Sequence, residues 1–327
     1  MRARLDPFIL ALVATALLGS FLPAAGDAFE AFRVASVVAI GLLFFLYGTR
    51  LSFGETVAGL RHWRLHAVVL TSTFVLFPLA GLAVTLLPDA VLRPGLAQGV
   101  LLLTLVPSTV QSCVVYTRQA RGNVAGAVVS ASLSSLVGVV LTPVLVGLLM
   151  SARAEVTGEA VLRIVAQILA PFVLGQLARP LLASWVDRHD RPLKLVDRGS
   201  ILLVVYVAFS EGAKYDVWST VSVVDVLTVV GLCAVLLAAG YAWSAGLARA
   251  AGFDRPDRVA VLFCGSNKSL ASGLPIATVL FSGGQVALLV LPLMFFHQLQ
   301  IIAGAFLAER LARRADGGAP PVSADGR

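Results

Sequence analysis

Two polar runs interrupt an otherwise apolar chain: Pro107-Ser108-Thr109-Val110-Gln111-Ser112-Cys113 and Gly265-Ser266-Asn267-Lys268-Ser269-Leu270-Ala271-Ser272-Gly273-Leu274-Pro275. Hydroxyls, amides and one ammonium group gather there beside residues that break helices. Each run begins or centres about ten residues into a long apolar stretch, a depth of about 15 Å at 1.5 Å per residue, or half of a ~30 Å hydrocarbon layer. Backbone groups freed by proline and glycine persist at that depth only where protein or a water-filled cavity satisfies them. N-termini of half-helices favour an anion, and exposed carbonyls favour a cation. The binding candidates are therefore Ser108, Thr109, Gln111 and Ser112 in the first run and Ser266, Asn267, Lys268, Ser269 and Ser272 in the second. Lys268 is the sharpest of them. A lysine at helix centre costs about 2.5–3.5 kcal/mol to insert, so it needs a partner or a task. The alternative, snorkelling to an interface, is difficult for a backbone near the midplane.

Other polar residues carry weaker signals. Ser130 and Ser134 share one helical face, where they either support a cation or let helices pack. His297, Gln298 and Gln300 lie deep in the last apolar stretch and suit substrate contact or an interhelical hydrogen bond. A single serine or threonine in such a helix more often back-bonds to the preceding turn, so the case for a site rests on two runs in corresponding places. His62 and His66 have the i, i+4 spacing of a metal pair without a third ligand nearby, and read as a cytoplasmic loop and helix start. Cys113, Cys233 and Cys264 fall in apolar stretches with no metal-ligand spacing and read as small buried residues.

These residues must be positioned by membrane helices. With 58% hydrophobic and 13% charged residues among 327, the chain is excluded from the soluble class, whose surface needs about a quarter of residues charged. Ten apolar stretches predict an all-α membrane protein, with spans at roughly 7–22, 34–47, 65–87, 95–117, 124–150, 161–182, 196–209, 224–247, 259–281 and 286–308. The first span, between Arg2, Arg4 and Ala24-Ala25, also has the outline of a signal peptide, which the repeat described next argues against. Placing both termini in the cytoplasm puts 19 of the 25 basic residues inside. The net charge of +7 thus reflects topology, and no nucleic-acid motif accompanies it.

An internal repeat supports the even count. Arg93-Pro94 recurs as Arg255-Pro256 and Gly122-Asn123-Val124-Ala125 as Gly284-Gln285-Val286-Ala287, both 162 residues apart, while Pro7-Phe8-Ile9-Leu10 recurs as Pro171-Phe172-Val173-Leu174 at 164. A five-helix unit placed twice in series enters the membrane from opposite sides, the inverted arrangement of many secondary transporters. The domains expected are a first repeat over 1–150, a second over 151–314 and a disordered tail, rich in Gly, Pro, Ala and Asp, over 315–327.

The chain resembles the bile acid:sodium symporter superfamily, especially its sodium/bile acid cotransporter 7-like branch, which includes bacterial proteins. The segments that carry the likeness are His62-Trp63-Arg64-Leu65-His66, Pro107 to Asn123, Leu141-Thr142-Pro143, Pro171 to Gln176, Phe263 to Leu270 and Phe296 to Ile301. The resemblance implies ten helices in panel and core domains, with helices four and nine broken and crossed. Bile-acid-type members carry Ser-Asn where this chain has Ser112-Cys113, and a glutamate and glutamine where it has Ser266 and Leu270. Their span-five ligands fall near Ala127 and Ala131, with Ser130 and Ser134 as displaced candidates. A retained sodium site would lie near Ser112, Ser130 and Ser266. Lys268 would instead replace the cation, pair with an anionic substrate or take up a proton.

The expected function is secondary active transport of a small organic anion by alternating access in a bacterial inner membrane, with sodium or a proton as coupling ion and no other cofactor. A non-transporting regulator of calcium homeostasis is the alternative, for which the chain offers no soluble docking domain. An intramembrane hydrolase using Ser266 or Ser269 with Lys268 is disfavoured, because Ser266 and Lys268 are two residues apart and face different sides of a helix. The chain is therefore not expected to be an enzyme.

Overall fold

The computed structural model describes residues 7–50, 60–150, 158–281 and 283–316, so the expected tail beyond 316 lies outside the described residues. Among these residues every regular element is helical: α1 (Pro7–Phe21), α2 (Gly26–Arg50), α3 (Trp63–Val84), α4 (Pro94–Leu105), α5 (Val110–Gln119), α6 (Val124–Met150), α7 (Gly158–Arg188), α8 (Asp190–Lys214), α9 (Val223–Ala250), α10 (Arg255–Ser266), α11 (Leu270–Leu280) and α12 (Gln285–Asp316).

Six of them, α2, α3, α6, α7, α9 and α12, are long and apolar enough to cross a membrane, and α4 with α5 makes a seventh candidate bent by 62°. The chain is an integral membrane protein. The remaining expected spans fall on helices that fail the same length and composition test for distinct reasons. α1 has 15 residues, about 22 Å at 1.5 Å each. α8 opens with Asp190, Arg191, Lys194, Asp197 and Arg198, and α10 and α11 are separated by a break. Several helices outrun their apolar stretches: α2 starts at Gly26 with Asp27 in its first turn, where a carboxylate suits the positive end of the helix dipole.

Each interruption has a local cause. In α4, Val106 precedes Pro107 and is extended at φ −79°, ψ 153°, the conformation that a following proline imposes, and Thr109 is extended before α5 begins. In the second run Asn267 (φ −82°, ψ 147°) ends α10, and Ser269 starts α11 by accepting from the Ser272 amide. In α3 a π-type turn spans Ser72–Leu76, one turn before Pro78. There the Phe77 N–H reaches back to the Ser72 carbonyl. Thr73 then has no helical donor, because the next amide along belongs to Pro78 and has no hydrogen.

Packing sorts the helices into two groups, α1, α2, α7 and α8 on one side and α3–α6 with α9–α12 on the other. Lipid-soluble helices gain little from apolar burial and associate through close backbone approach at small residues. α2 and α7 show this: a Cβ on Gly48 would lie 2.2 Å from the Phe172 carbonyl oxygen, and one on Gly175 would lie 2.1 Å from that of Phe45. Gly48→Leu or Gly175→Leu should therefore force the pair apart, at a cost of about 1–3 kcal/mol or more. The expected result is a lower Tm in detergent and loss of the monodisperse species on size exclusion; unchanged behaviour would place these helices further apart.

Candidate functional site

The two breaks meet in the interior of the larger group. The Ser269 amide donates to the Pro107 carbonyl at 2.9 Å, so one break is hydrogen-bonded directly to the other. Side chains serve the other carbonyls that α4 leaves open at its end. Thr142 Oγ1 donates to Leu105 at 2.9 Å and Ser135 Oγ to Ser108 at 3.4 Å. Thr104 and Val106 are served by one group, the Lys268 ammonium, at 2.8 and 3.0 Å. Its third donor goes to the orphaned Thr73 carbonyl of α3 at 2.9 Å, and the Phe77 ring stands 4.3 Å away.

Lys268 is wholly buried, and among the described residues no carboxylate pairs with it. Three carbonyls, an aromatic face and the negative end of the α4 dipole compensate its charge instead. All three ammonium hydrogens are engaged with carbonyl oxygens, the ligand set that exposed carbonyls offer a metal cation. The Lys268 peptide is clamped as well: its N–H donates to Gln300 Oε1 at 2.7 Å and its carbonyl accepts from Gln300 Nε2 at 2.8 Å.

On the other side of the crossing a cavity of about 530 Å³ lies between the two helix groups. Thr109, Val110, Gln111 and Ser112 from the start of α5 and Ser269 to Ser272 from the start of α11 line it, so two helix N-termini border one cavity. Thr109 makes no side-chain cap, which leaves first-turn amides of α5 for a ligand or water. Phe8, Phe44, Phe172 and Ile201 form an apolar wall, and His297 of α12 contributes a polar ring. At one end stand Arg50, Lys194 and Arg198 with Asp190 and Asp197; Lys194 pairs with Asp190 at 2.6 Å and Arg50 with Asp197.

The sequence candidates thus divide. Thr109, Gln111, Ser112, Ser269, Ser272 and His297 line the cavity. Ser108, Asn267 and Lys268 build the crossing: Ser108 Oγ lies 3.4 Å from Cys113 Sγ, and Asn267 Nδ2 donates to Ser112 Oγ at 3.2 Å. Ser130 and Ser134 face the protein, Ser130 bonding His66 at 2.8 Å and Ser134 accepting from the Ser108 amide at 3.0 Å. Ser132 and Ser135, from the intervening faces of α6, border the cavity in their place. Ser266 donates to the Leu262 carbonyl at 2.6 Å, and its Oγ lies 3.2 Å from Ser244 Oγ. The hydroxyls of Ser112, Ser130 and Ser266 therefore serve three separate neighbours. Gln298 is half-buried away from the cavity, and its Oε1 has no partner among the described residues. His62 lies 3.9 Å from Asp257, and no metal-ligating group of three or more forms among the described residues.

The sequence reading missed the charged mouth, because its residues counted as loop charges in the topology argument. It also missed the Thr73 and Thr104 carbonyls, since a main-chain acceptor leaves no residue-type signal. Pro78 was the available clue to the first.

Comparison along the whole chain decides the kinship: the profile of the SBF-like CPA transporter family matches residues 6–313. The chain belongs to this family. Its relatives include an uncharacterized protein of Pseudomonas aeruginosa, 47% identical over 321 residues that cover 97% of this chain and 96% of the relative. YfeH of Escherichia coli K12, named as a candidate symporter, is 45% identical over 95% of this chain and 94% of its own. The mouse sodium/bile acid cotransporter 7 is 28% identical over 83% and 81%. The resemblance read from the segments quoted above is thereby upheld, and the protein is a bile acid:sodium symporter-like transporter of the membrane.

Lys268→Met strands the three buried carbonyls that meet the ammonium at the crossing. An unsatisfied buried group costs about 1–3 kcal/mol, so the variant should lose about 3 kcal/mol or more. A thermal unfolding series in detergent reads this, and a Tm equal to that of the parent would mean that the ammonium does not serve those carbonyls.

Proposed function

We propose that the protein is a secondary active carrier of a small organic anion, working by alternating access, with the Lys268 ammonium in the place of a coupling cation. The observation that carries this reading is the pairing of opposite electrostatic ends at one crossing. Carbonyls from α3 and α4 converge on a tethered cation, while the N-termini of α5 and α11 border a cavity suited to an anion. The ammonium has no donor left for the substrate, which favours cation replacement over direct pairing with the anion.

Ten spans in two inverted repeats, 1–150 and 151–314, supply the moving parts in this reading. Exchange of the halves equates α1 with α7, α2 with α8, α3 with α9, α4 and α5 with α10 and α11, and α6 with α12. The packing respects that exchange: α1 lies on α8 as α7 lies on α2, α3 on α6 as α9 on α12, and α4 on α12 as α10 on α6. The group of α1, α2, α7 and α8 is then the panel and the rest is the core.

The cavity reaches the cluster of Arg50, Lys194 and Arg198, which positive-inside topology assigns to the cytoplasm. At the opposite end the Gly283 amide donates to Glu211 Oε1 at 3.2 Å, and Tyr215 and Val217 leave no room for a side chain on Gly284. This supports an inward-facing conformation, whose conversion parts that external contact. Reporter fusions should find both termini cytoplasmic; an external C-terminus would overturn the span count and the inward assignment together.

The relatives named as symporter and cotransporter make uptake the direct test. Purified protein in liposomes should take up an organic anion along its gradient, and replacing sodium by a large organic cation should leave the rate unchanged. Lys268→Ala should abolish uptake or make it depend on a small cation. Sodium-dependent uptake by the parent protein would show that the ammonium does not substitute for the coupling ion.

A further inference from the structure

At the end of the molecule opposite the charged mouth, the last turn of α8 and the 3₁₀ turn after it, Val217–Thr220, meet the turn between α11 and α12. The Gly283 amide donates to Glu211 Oε1 at 3.2 Å, a bond that joins one helix group to the other. Around it the two groups are in close contact. A Cβ on Gly212 would lie 2.8 Å from Ala287 Cβ, and one on Gly284 would lie 2.6 Å from the Val217 side chain and 2.8 Å from Tyr215 Cβ.

The repeat supplies mates for these residues at the other end. α2 and α8 each have 25 residues, and the offset of 164 carries Gly26 to Asp190 and Arg50 to Lys214, so Tyr47 is the mate of Glu211. The offset of 162 that relates Gly122-Asn123 to Gly284-Gln285 makes Arg121 the mate of Gly283. Both members of this second pair have left-handed backbone, Arg121 at φ 54° and Gly283 at φ 75°. The mates lack the parts for the same bond. Tyr47, which lines the open cavity, carries a neutral phenol where Glu211 carries a carboxylate, and the Arg121 amide is already given to the Arg118 carbonyl at 3.0 Å.

We propose that Glu211 is a positioning residue that latches the outer end, and that its bond to the Gly283 amide biases the resting carrier toward the inward-facing conformation. The opposite closure, of the α2 end around Tyr47 on the Arg121 turn, has no charged latch to balance it. A hydrogen bond to a charged group weights the ratio of the two conformations by about tenfold. The latch rests on the alternating-access reading and its inverted repeat.

A thiol in the cavity reads that ratio. Ser132 borders the cavity and the three native cysteines are buried, so Ser132→Cys in the full chain is the reporter and the parent protein is the blank. A charged, membrane-impermeant methanethiosulfonate added to spheroplasts reacts with the reporter only in molecules whose cavity opens outward. Glu211→Ala should raise that rate about tenfold. Glu211→Gln, which keeps an acceptor without the charge, should raise it less. Glu211→Ala without the reporter should stay unlabelled; labelling of its native cysteines would mean that the substitution loosens the fold, and would overturn the latch. Measurable outward labelling that Glu211→Ala leaves unchanged also overturns the latch, while alternating access stands. Labelling of the reporter from the cytoplasmic face of inverted vesicles, with none from outside in any variant, removes alternating access and the latch with it.

Discussion

The Lys268 ammonium sits where three backbone carbonyls have lost their helical donors, and each loss has its own origin. Thr73 loses its donor because the π-type turn diverts the Phe77 amide and Pro78 has none. Thr104 loses its donor because the Ser108 amide turns to Ser134 Oγ. Val106 lies in the extended segment that Pro107 imposes. In hydrocarbon each such carbonyl would cost several kcal/mol if left alone, and so would an uncompensated ammonium. Together they satisfy one another. The break after α4, the turn in α3 and the lysine between α10 and α11 are thus a single energetic unit, and loss of one leaves the others uncompensated.

That unit explains the division of labour around the crossing. Carbonyl ends point inward to the lysine, so the cationic side of the crossing is filled and closed. Amide ends of α5 and α11 point the other way and border the cavity, so the anion-attracting side stays open. The local geometry separates charge of opposite sign without any carboxylate at the centre. Acidic residues appear instead at the mouth, where Asp190 and Asp197 hold Lys194 and Arg50 in place rather than cancelling the interior cation. The apolar wall of Phe8, Phe44, Phe172 and Ile201 comes from the other helix group, so the cavity changes shape whenever the two groups move relative to each other.

Much of this was legible in the sequence because intramembrane polarity is costly and therefore informative. Pro107, the Gly265–Pro275 run and Lys268 mark both breaks in the sequence itself. Helix ends were less legible: α2 begins at Gly26 although its apolar stretch begins near Val34, since hydropathy falls where a helix leaves lipid but hydrogen bonding does not. The role of the serine face of α6 stayed open for a related reason. Ser130 and Ser134 are correctly placed on one side, but periodicity alone does not say whether that side meets cavity or protein, and here it meets His66 and the Ser108 amide. The ligands of Lys268 were beyond sequence reasoning altogether, because main-chain carbonyls are the same at every residue. Only the proline that removes a competing donor betrays them.

A tethered cation differs from an exchangeable one in what it does to the cycle. A bound sodium ion arrives from one side, organises the site and leaves on the other, so its gradient is coupled to the movement of substrate. The Lys268 ammonium is always present, so the crossing is organised whether or not the cavity is occupied. On the carrier reading, a monovalent anion bound beside it cancels its charge, and the loaded core crosses the field without net work. The empty core returns with the positive charge exposed to the membrane potential, worth about 2.3 kcal/mol per 100 mV for a full crossing. On that reading the voltage dependence of transport resides in the return of the empty carrier, because the cation stays tethered to the chain.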